Sequence, residues 1–232
     1  MSASLPCVVR YDVGRIFETS SQRRSPMAAD GHHVVSLHNK LQPLGNTKPA
    51  GAIIAASFSC AGDVLVTLDS HGQLVSFNLH NNRYTALRRK GIRAVAIAFS
   101  PLRRSELFVS LADGDIECID IATKATVGTL RGHLHAARAI TCHPSQPLLL
   151  SCAGDAAILW STGPAQFSRA RSMPAAPARM LQDALFLPSG DGLLTCVESA
   201  VTVWRIDSLD AVATLRLPPA HGSALRLQTA GV

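Results

Sequence analysis

Any chemistry in this chain of 232 residues must come from a few reactive side chains: six cysteines, nine histidines and an acidic run. The acidic run is Asp113-Gly114-Asp115-Ile116-Glu117, whose carboxylates could face a cation. It lacks the full twelve-residue ligand pattern of a calcium loop, and Asp-Gly is a strong hairpin signal, so it reads as a turn. The histidines are spread one or two to a loop. His32-His33 is an adjacent pair, but neighbours in an extended strand point to opposite faces and do not share a ligand. Cys7, Cys60, Cys118, Cys142, Cys152 and Cys196 show neither CxxC nor a Cys/His pairing at metal spacing. Most fall in apolar runs, where cysteine behaves as a small hydrophobe.

Catalytic motifs are missing as well. The sequence has no GxxxxGK[ST], no GxGxxG opening a helix, no HExxH and no GxSxG. No catalytic site, metal site or cofactor is expected, and the thiols are expected to be reduced, as in the cytoplasm. The net charge of +6 and pI near 9.3 raise nucleic acid as a partner. Phosphate binding needs cations clustered on one face. Here they come in short groups between strands: Arg23-Arg24, Arg88-Arg89-Lys90, Arg103-Arg104 and Arg169 to Arg179. They are read as solvated loop charge, with nucleic acid the lesser alternative. No apolar run approaches the roughly 18 residues of a membrane span, and the N-terminus does not resemble a signal peptide.

What positions these side chains is a repeat. From Arg131 to Trp160 the chain reads as three short antiparallel strands joined by tight turns, with Gly132-His133 in front and Trp160 behind. Copies follow on both sides. The apolar residue closing each copy falls at Phe77, Ile119, Trp160 and Trp204, spaced 42, 41 and 44 residues. The turn after the first strand gives Pro101, Pro144 and Pro188, spaced 43 and 44. A four-stranded propeller blade repeats every roughly 40–45 residues. Helical repeats of similar period need longer 3.6-residue patterns than these runs of five or six, broken by Pro, Gly and Asp, can supply.

The expected fold is therefore all-β, a WD40-type β-propeller of about four recognisable blades, incomplete because four is the bottom of the usual range. The repeats are placed at about 51–90, 91–130, 131–177 and 178–217. Residues 1–50 form an N-terminal segment with one candidate strand, His33 to Leu37, that could close a ring, and Ser25 behind two arginines as a candidate phosphate acceptor, read as an exposed turn. Residues 218–232 are a tail or the start of a fifth repeat. Arg83 to Leu87, Ala125 to Leu130 and Ala211 to Leu215 serve as outer strands. After Trp160 the pattern fails: Gly163 to Arg179 is rich in Ala, Pro, Ser and Arg, which predicts a short strand or a long exposed loop.

Two resemblances add to this. Gly132-His133, Ser151, Asp155 and Trp160 resemble the hydrogen-bonded tetrad of WD40 repeats, which implies that Asp155 orients His133 and that Ser151 and Trp160 complete the relay. Such a network specifies the fold and does no catalysis. Asp155 stands five residues before Trp160, one fewer than the common pattern. The other repeats are degenerate, with Phe77-Asn78, Ile119-Asp120 and Trp204-Arg205 where Trp-Asp would stand. In addition, His80-Asn81-Asn82-Arg83-Tyr84, the run Leu102-Arg103-Arg104-Ser105-Glu106-Leu107-Phe108-Val109-Ser110-Leu111-Ala112-Asp113, Thr123-Lys124 and Arg131-Gly132-His133 resemble the N-terminal WD repeats of the TBC (Rab GTPase-activating-like) domain family.

The resemblance covers about residues 31–217 and implies a non-enzymatic adaptor in the cytoplasm and cytoskeleton, at centrosomes and centriolar satellites, acting in cilium assembly with protein partners. The catalytic fingers of active TBC domains, the Arg of IxxDxxR and the Gln of YxQ, are absent from this sequence, so a GTPase-activating role is not carried by these residues. The alternatives are a basic propeller for nucleic acid or an acidic complex, and a regulatory piece of a Rab GTPase-activating protein. Arg103, Arg104, His135, Arg138 and Arg171 are the loop residues suited to contact an acidic partner.

Overall fold

Apolar runs of five or six residues, punctuated by Asp, Gly, Ser and Pro, are long enough for strands and too short for helices. A computed structural model bears this out and describes residues 51–81, 83–87, 93–163, 166–174, 181–197 and 200–216. The described residues form four sheets of four antiparallel strands. The first sheet is β1 (Ile53–Phe58), β2 (Val64–Asp69), β3 (Leu74–Asn78) and β4 (Arg83–Leu87). The second is β5 (Ala94–Phe99), β6 (Glu106–Leu111), β7 (Ile116–Asp120) and β8 (Ala125–Leu130). The third is β9 (Ala139–Cys142), β10 (Leu148–Cys152), β11 (Ala156–Gly163) and β12 (Gln166–Pro174). The fourth is β13 (Leu181–Phe186), β14 (Gly192–Val197), β15 (Ala200–Arg205) and β16 (Ala211–Arg216). The candidate strand at His33 to Leu37, Ser25 and the tail lie outside the described residues.

The innermost strands touch in sequence, β1 with β5, β5 with β9, and β9 with β13. Each sheet is a propeller blade lying face to face with the next, and no strand of the fourth blade pairs with the first among the described residues. The core therefore sits between blades. On β6, Leu107, Val109 and Leu111 turn toward blade 1, where they pack with Val66, Leu68 and Leu74, while Phe108 turns toward Leu149 and Trp160 of blade 3. On β10 the alternation repeats: Leu149 faces blade 2, and Leu150 and Cys152 face Leu181, Phe186 and Leu193 of blade 4. Strands buried on both faces read as unbroken apolar runs because period-2 alternation has no solvent face to mark.

The third outer strand differs from the expectation. Gln166–Pro174 is a nine-residue strand paired along the length of β11, where the sequence predicts a short strand or a loop. Its Ser, Arg and Ala content is poor for a buried strand. An outermost strand pairs on one side only, so the ladder to β11 decides its conformation over intrinsic preference. Pro174 stands last, where a missing N–H interrupts little.

In β8, β12 and β16 one extra residue opposes the strand just before the closing residue, a bulge repeated in three blades. Two of these extra residues, Val127 and Val212, are exposed by 54% and 62%. They are apolar side chains turned out by the bulge, which also bends the edge away from strand addition.

The Asp113-Gly114-Asp115 run is the hairpin turn between β6 and β7. Gly114 has φ +97°, and a Cβ there would lie 2.7 Å from the His133 carbonyl oxygen. Glycine is thus required twice, for the left-handed turn and for the approach of blade 2 to the loop that opens blade 3. Gly114→Ala is expected to lower stability by about 1–3 kcal/mol, read from the urea midpoint, whereas alanine at Gly62, which has open space around its Cβ, costs only its turn strain.

Candidate functional site

Among the described residues, the most connected polar cluster lies at the joint of blades 2 and 3. Ladder pairing sets Leu149 opposite Trp160 and Ser151 opposite Ile158, so Ser151 and Trp160 are diagonal neighbours on the face turned to blade 2. The Trp160 Nε1–H donates to Ser151 Oγ at 2.7 Å. That hydroxyl has one proton to give, and His133 Nε2 at 2.6 Å is a far better acceptor than the Ile158 carbonyl at 3.4 Å. His133 therefore carries its proton on Nδ1, which donates to Asp155 Oδ1 at 3.3 Å. The Leu134 backbone N–H reaches the other carboxylate oxygen at 3.2 Å.

The structure brings His133, Ser151, Asp155 and Trp160 into one relay. The shortened spacing from Asp155 to Trp160 is absorbed in the turn, because the β10–β11 ladder is anchored at Leu149 and Ser151. The imidazole is fully buried, with 0% of its side chain exposed. Burial pushes the Asp155 carboxyl up, but the Leu134 N–H, its own N–H and His133 outweigh it and hold it below the usual carboxylate value. With the serine giving its proton to the histidine and both side chains buried, the arrangement ties two strands to a loop.

The same position in the other blades is found through the ladder. The closing residue always pairs with leucine: Leu65 with Phe77, Leu107 with Ile119, Leu149 with Trp160 and Leu193 with Trp204. Two residues on from that leucine stand Thr67, Val109, Ser151 and Thr195. In blade 4, Trp204 Nε1 donates to Thr195 Oγ1 at 2.8 Å, half of the relay. In blade 2 valine and isoleucine replace hydroxyl and indole together, which leaves no polar group stranded.

Sequence reasoning passed over a second buried histidine. His143, which directly precedes the turn residue Pro144, is 1% exposed. Its Nδ1 accepts the N–H groups of Ser145 and Gln146 at 3.1 and 2.9 Å, so its proton sits on Nε2 and goes to the Gly190 carbonyl at 2.8 Å. One ring closes its own turn and ties blade 3 to blade 4. Its signal was His-Pro-Ser at the end of an apolar strand, a turn whose donors a preceding side chain can satisfy.

The candidate contact residues do not share a surface. Arg103 and Arg104 lie past the end of β5, and His135 and Arg138 lie before the start of β9, so the two pairs sit at opposite ends of the blades. Arg171 is on the outer strand β12. Three have internal partners. Arg103 pairs with the buried Glu106 at 2.8 Å, and Arg171 donates to the Asp207 carbonyl of blade 4. Arg104 reaches across from blade 2 to Asp63 in blade 1, with Nε 2.9 Å from Oδ2. His135 and Arg138 are exposed beside Leu134, itself 79% exposed.

The thiols of Cys118, Cys142 and Cys152 are pushed well above the usual range by burial, Cys152 to about 12. They stay protonated and act as core side chains, not as nucleophiles.

Two measurements follow from these bonds. Ser151→Ala and Trp160→Phe should each cost about 1–3 kcal/mol. Because they break one shared bond, the double variant should fall short of the sum by about 0.5–3 kcal/mol in a urea double-mutant cycle. The second concerns acid. The hydrogen bonds from Arg104, then that from Ser59, lower the Asp63 carboxyl from 3.8 to about 2. A depressed carboxyl stabilises the fold at pH above its ordinary value, and that contribution is lost as pH falls from about 4 toward 2. Arg104→Met should therefore flatten the decline in the urea midpoint between pH 5 and pH 2.5, assayed beside the unaltered chain.

Comparison with known proteins agrees with this architecture. The chain is similar to proteins named TBC1 domain family member 31: 31% identical to that of Homo sapiens over 206 residues, 88% of this chain and 19% of the relative. Identity is 30% to that of Bos taurus over 205 residues, again 88% and 19%. It is 33% to that of Xenopus tropicalis over 172 residues, 74% and 16%. The chain spans about a fifth of the length of these curated relatives. No family model matches it. Among solved structures it is similar to the β-propeller domain of Cps50 (Swd1) from Myceliophteria thermophila. The TM-score is 0.63 at 16% identity, covering 75% of this chain and 57% of that one, so the shared property is the β-propeller fold.

Proposed function

We propose that this chain is a non-enzymatic WD-repeat scaffold, a protein-binding propeller segment of an adaptor that works at centrosomes and centriolar satellites during cilium assembly. The observation that carries the scaffold reading is the use of the buried polar groups. The relay at His133, the His143 joint and the Asp63–Arg104 pair all join strands, loops or blades. The exposed blade ends and outer strands are then what a partner can meet, as propellers bind through loops and rims. The centrosomal and ciliary role rests on the resemblance to the TBC domain family and on the similarity to TBC1 domain family member 31. The GTPase-activating chemistry associated with TBC domains is not assigned to these residues.

Expressed as a tagged chain in ciliated cells, it is expected to concentrate at the centrosome and to retain protein partners after nuclease treatment. Diffuse localisation would remove the centrosomal role. Loss of all partners with nuclease, together with steep salt dependence of binding to duplex or single-stranded probes, would replace the scaffold with a nucleic-acid reading.

A further inference from the structure

The turns after the first strand of each blade meet their neighbours at one end of the propeller, and two of the three joints there are bridged. Blades 1 and 2 are joined by Arg104 reaching Asp63, and blades 3 and 4 by His143 donating to the Gly190 carbonyl. Between the corresponding turns of blades 2 and 3 no hydrogen bond crosses among the described residues. A shallow solvent-open crevice of about 30 Å³ lies there instead, lined by Pro101, Leu102, Arg103, Glu106, Pro147 and Thr162 among others.

Its polar floor is Glu106, only 6% exposed. This carboxylate has no arginine from the neighbouring blade. It is held at 2.8 Å by Arg103, from three residues earlier on its own turn, and accepts a hydrogen bond from the Cys118 thiol. Arg103 is 39% exposed on its side chain, and Leu102 beside it is 47% exposed. A buried carboxylate under an apolar mouth is the complement of arginine, whose stem packs on apolar surface and whose planar head forms two parallel bonds to a carboxylate. Arg104 shows the same chemistry one joint away, where it crosses between blades to a buried carboxylate.

We propose that the crevice between blades 2 and 3 receives an arginine side chain of a basic partner segment, with Glu106 as its anchor. Arg103 is the internal placeholder that swings outward when the site fills. This deepens the scaffold reading by assigning the chemistry of one partner contact. It inverts the expectation for this loop: Arg103 and Arg104 are committed to carboxylates of the chain itself, and the group on offer to a partner is an acid.

The test uses the 232-residue chain, acetyl-Gly-Arg-Gly-amide and the same peptide with citrulline in place of arginine. Removing the placeholder with Arg103→Ala should raise affinity for the arginine peptide at least about tenfold over the unaltered chain, seen as a rise in Tm of about 2–4 °C at saturating peptide. The citrulline peptide should give no rise, and the double variant R103A/E106Q should not respond to arginine. Equal responses of R103A and R103A/E106Q, equal responses to the two peptides, or no response of folded R103A would each overturn the proposal. Should R103A fail to fold, Arg103→Gln takes its place with the same outcomes. Failure here removes the crevice as a site and leaves partner capture by the whole chain, the test of the scaffold reading, unaffected.

Discussion

Everything in this fold depends on sheets that bury their faces against one another. A single four-stranded sheet that is apolar on both faces has no second layer of its own to cover them. Stacked face to face, its second strand becomes covered on both sides, and three inter-blade cores of Leu, Val, Ile and Phe result. The hydrophobic term then belongs to pairs of blades and not to any single one. The same geometry explains the composition: with aromatics at 5%, aliphatic side chains alternating left and right along β6 and β10 fill the joints.

Stacking fixes which residues touch but leaves blades free to slide, since one aliphatic layer fits another in several registers. Buried polar groups remove that freedom, because each stranded donor or acceptor costs about 1–3 kcal/mol. His133, Ser151, Asp155 and Trp160 lock a loop to two strands, His143 locks one turn to the next, and Arg104 clasps Asp63. Blade 2 shows that the device is dispensable in one copy when both ends are replaced: Val109 and Ile119 fill the space of hydroxyl and indole with no polar group left behind. Among the described residues, the crevice over Glu106 is where an internal bridge of this kind is missing between the turns of blades 2 and 3.

The repeat was legible because turns obey local chemistry. Asp-Gly, Ser-Pro and His-Pro mark chain reversals wherever they occur, and the spacing of 43 and 44 residues between the turn prolines Pro101, Pro144 and Pro188 exposes the blade. The relay was legible from Gly132-His133 and Trp160, side chains seldom placed in a core without partners. What escaped the sequence lies where pairing overrides composition. β12 is a long strand built from Ser, Ala and Arg, held by its ladder to β11. The equivalent of Ser151 in blade 2 is Val109 and not Ser110, since the turn of Asp113 to Asp115 is one residue longer and counting back from Ile119 misplaces the face. Arginines read as free loop charge turned out to have carboxylate or carbonyl partners that are distant in sequence (Asp63, Asp207) or local but buried (Glu106), and a count of charges does not reveal such partners.

Native-state hydrogen exchange on the whole chain tests the dependence on stacking most directly. If blades are stable only through their neighbours, amides of β6 and β10, covered on both faces, exchange slowest and open together in one cooperative event, while β16 exchanges first. Slow exchange confined to one blade, with β6 and β10 opening at separate free energies, would contradict it and make each blade its own folding unit.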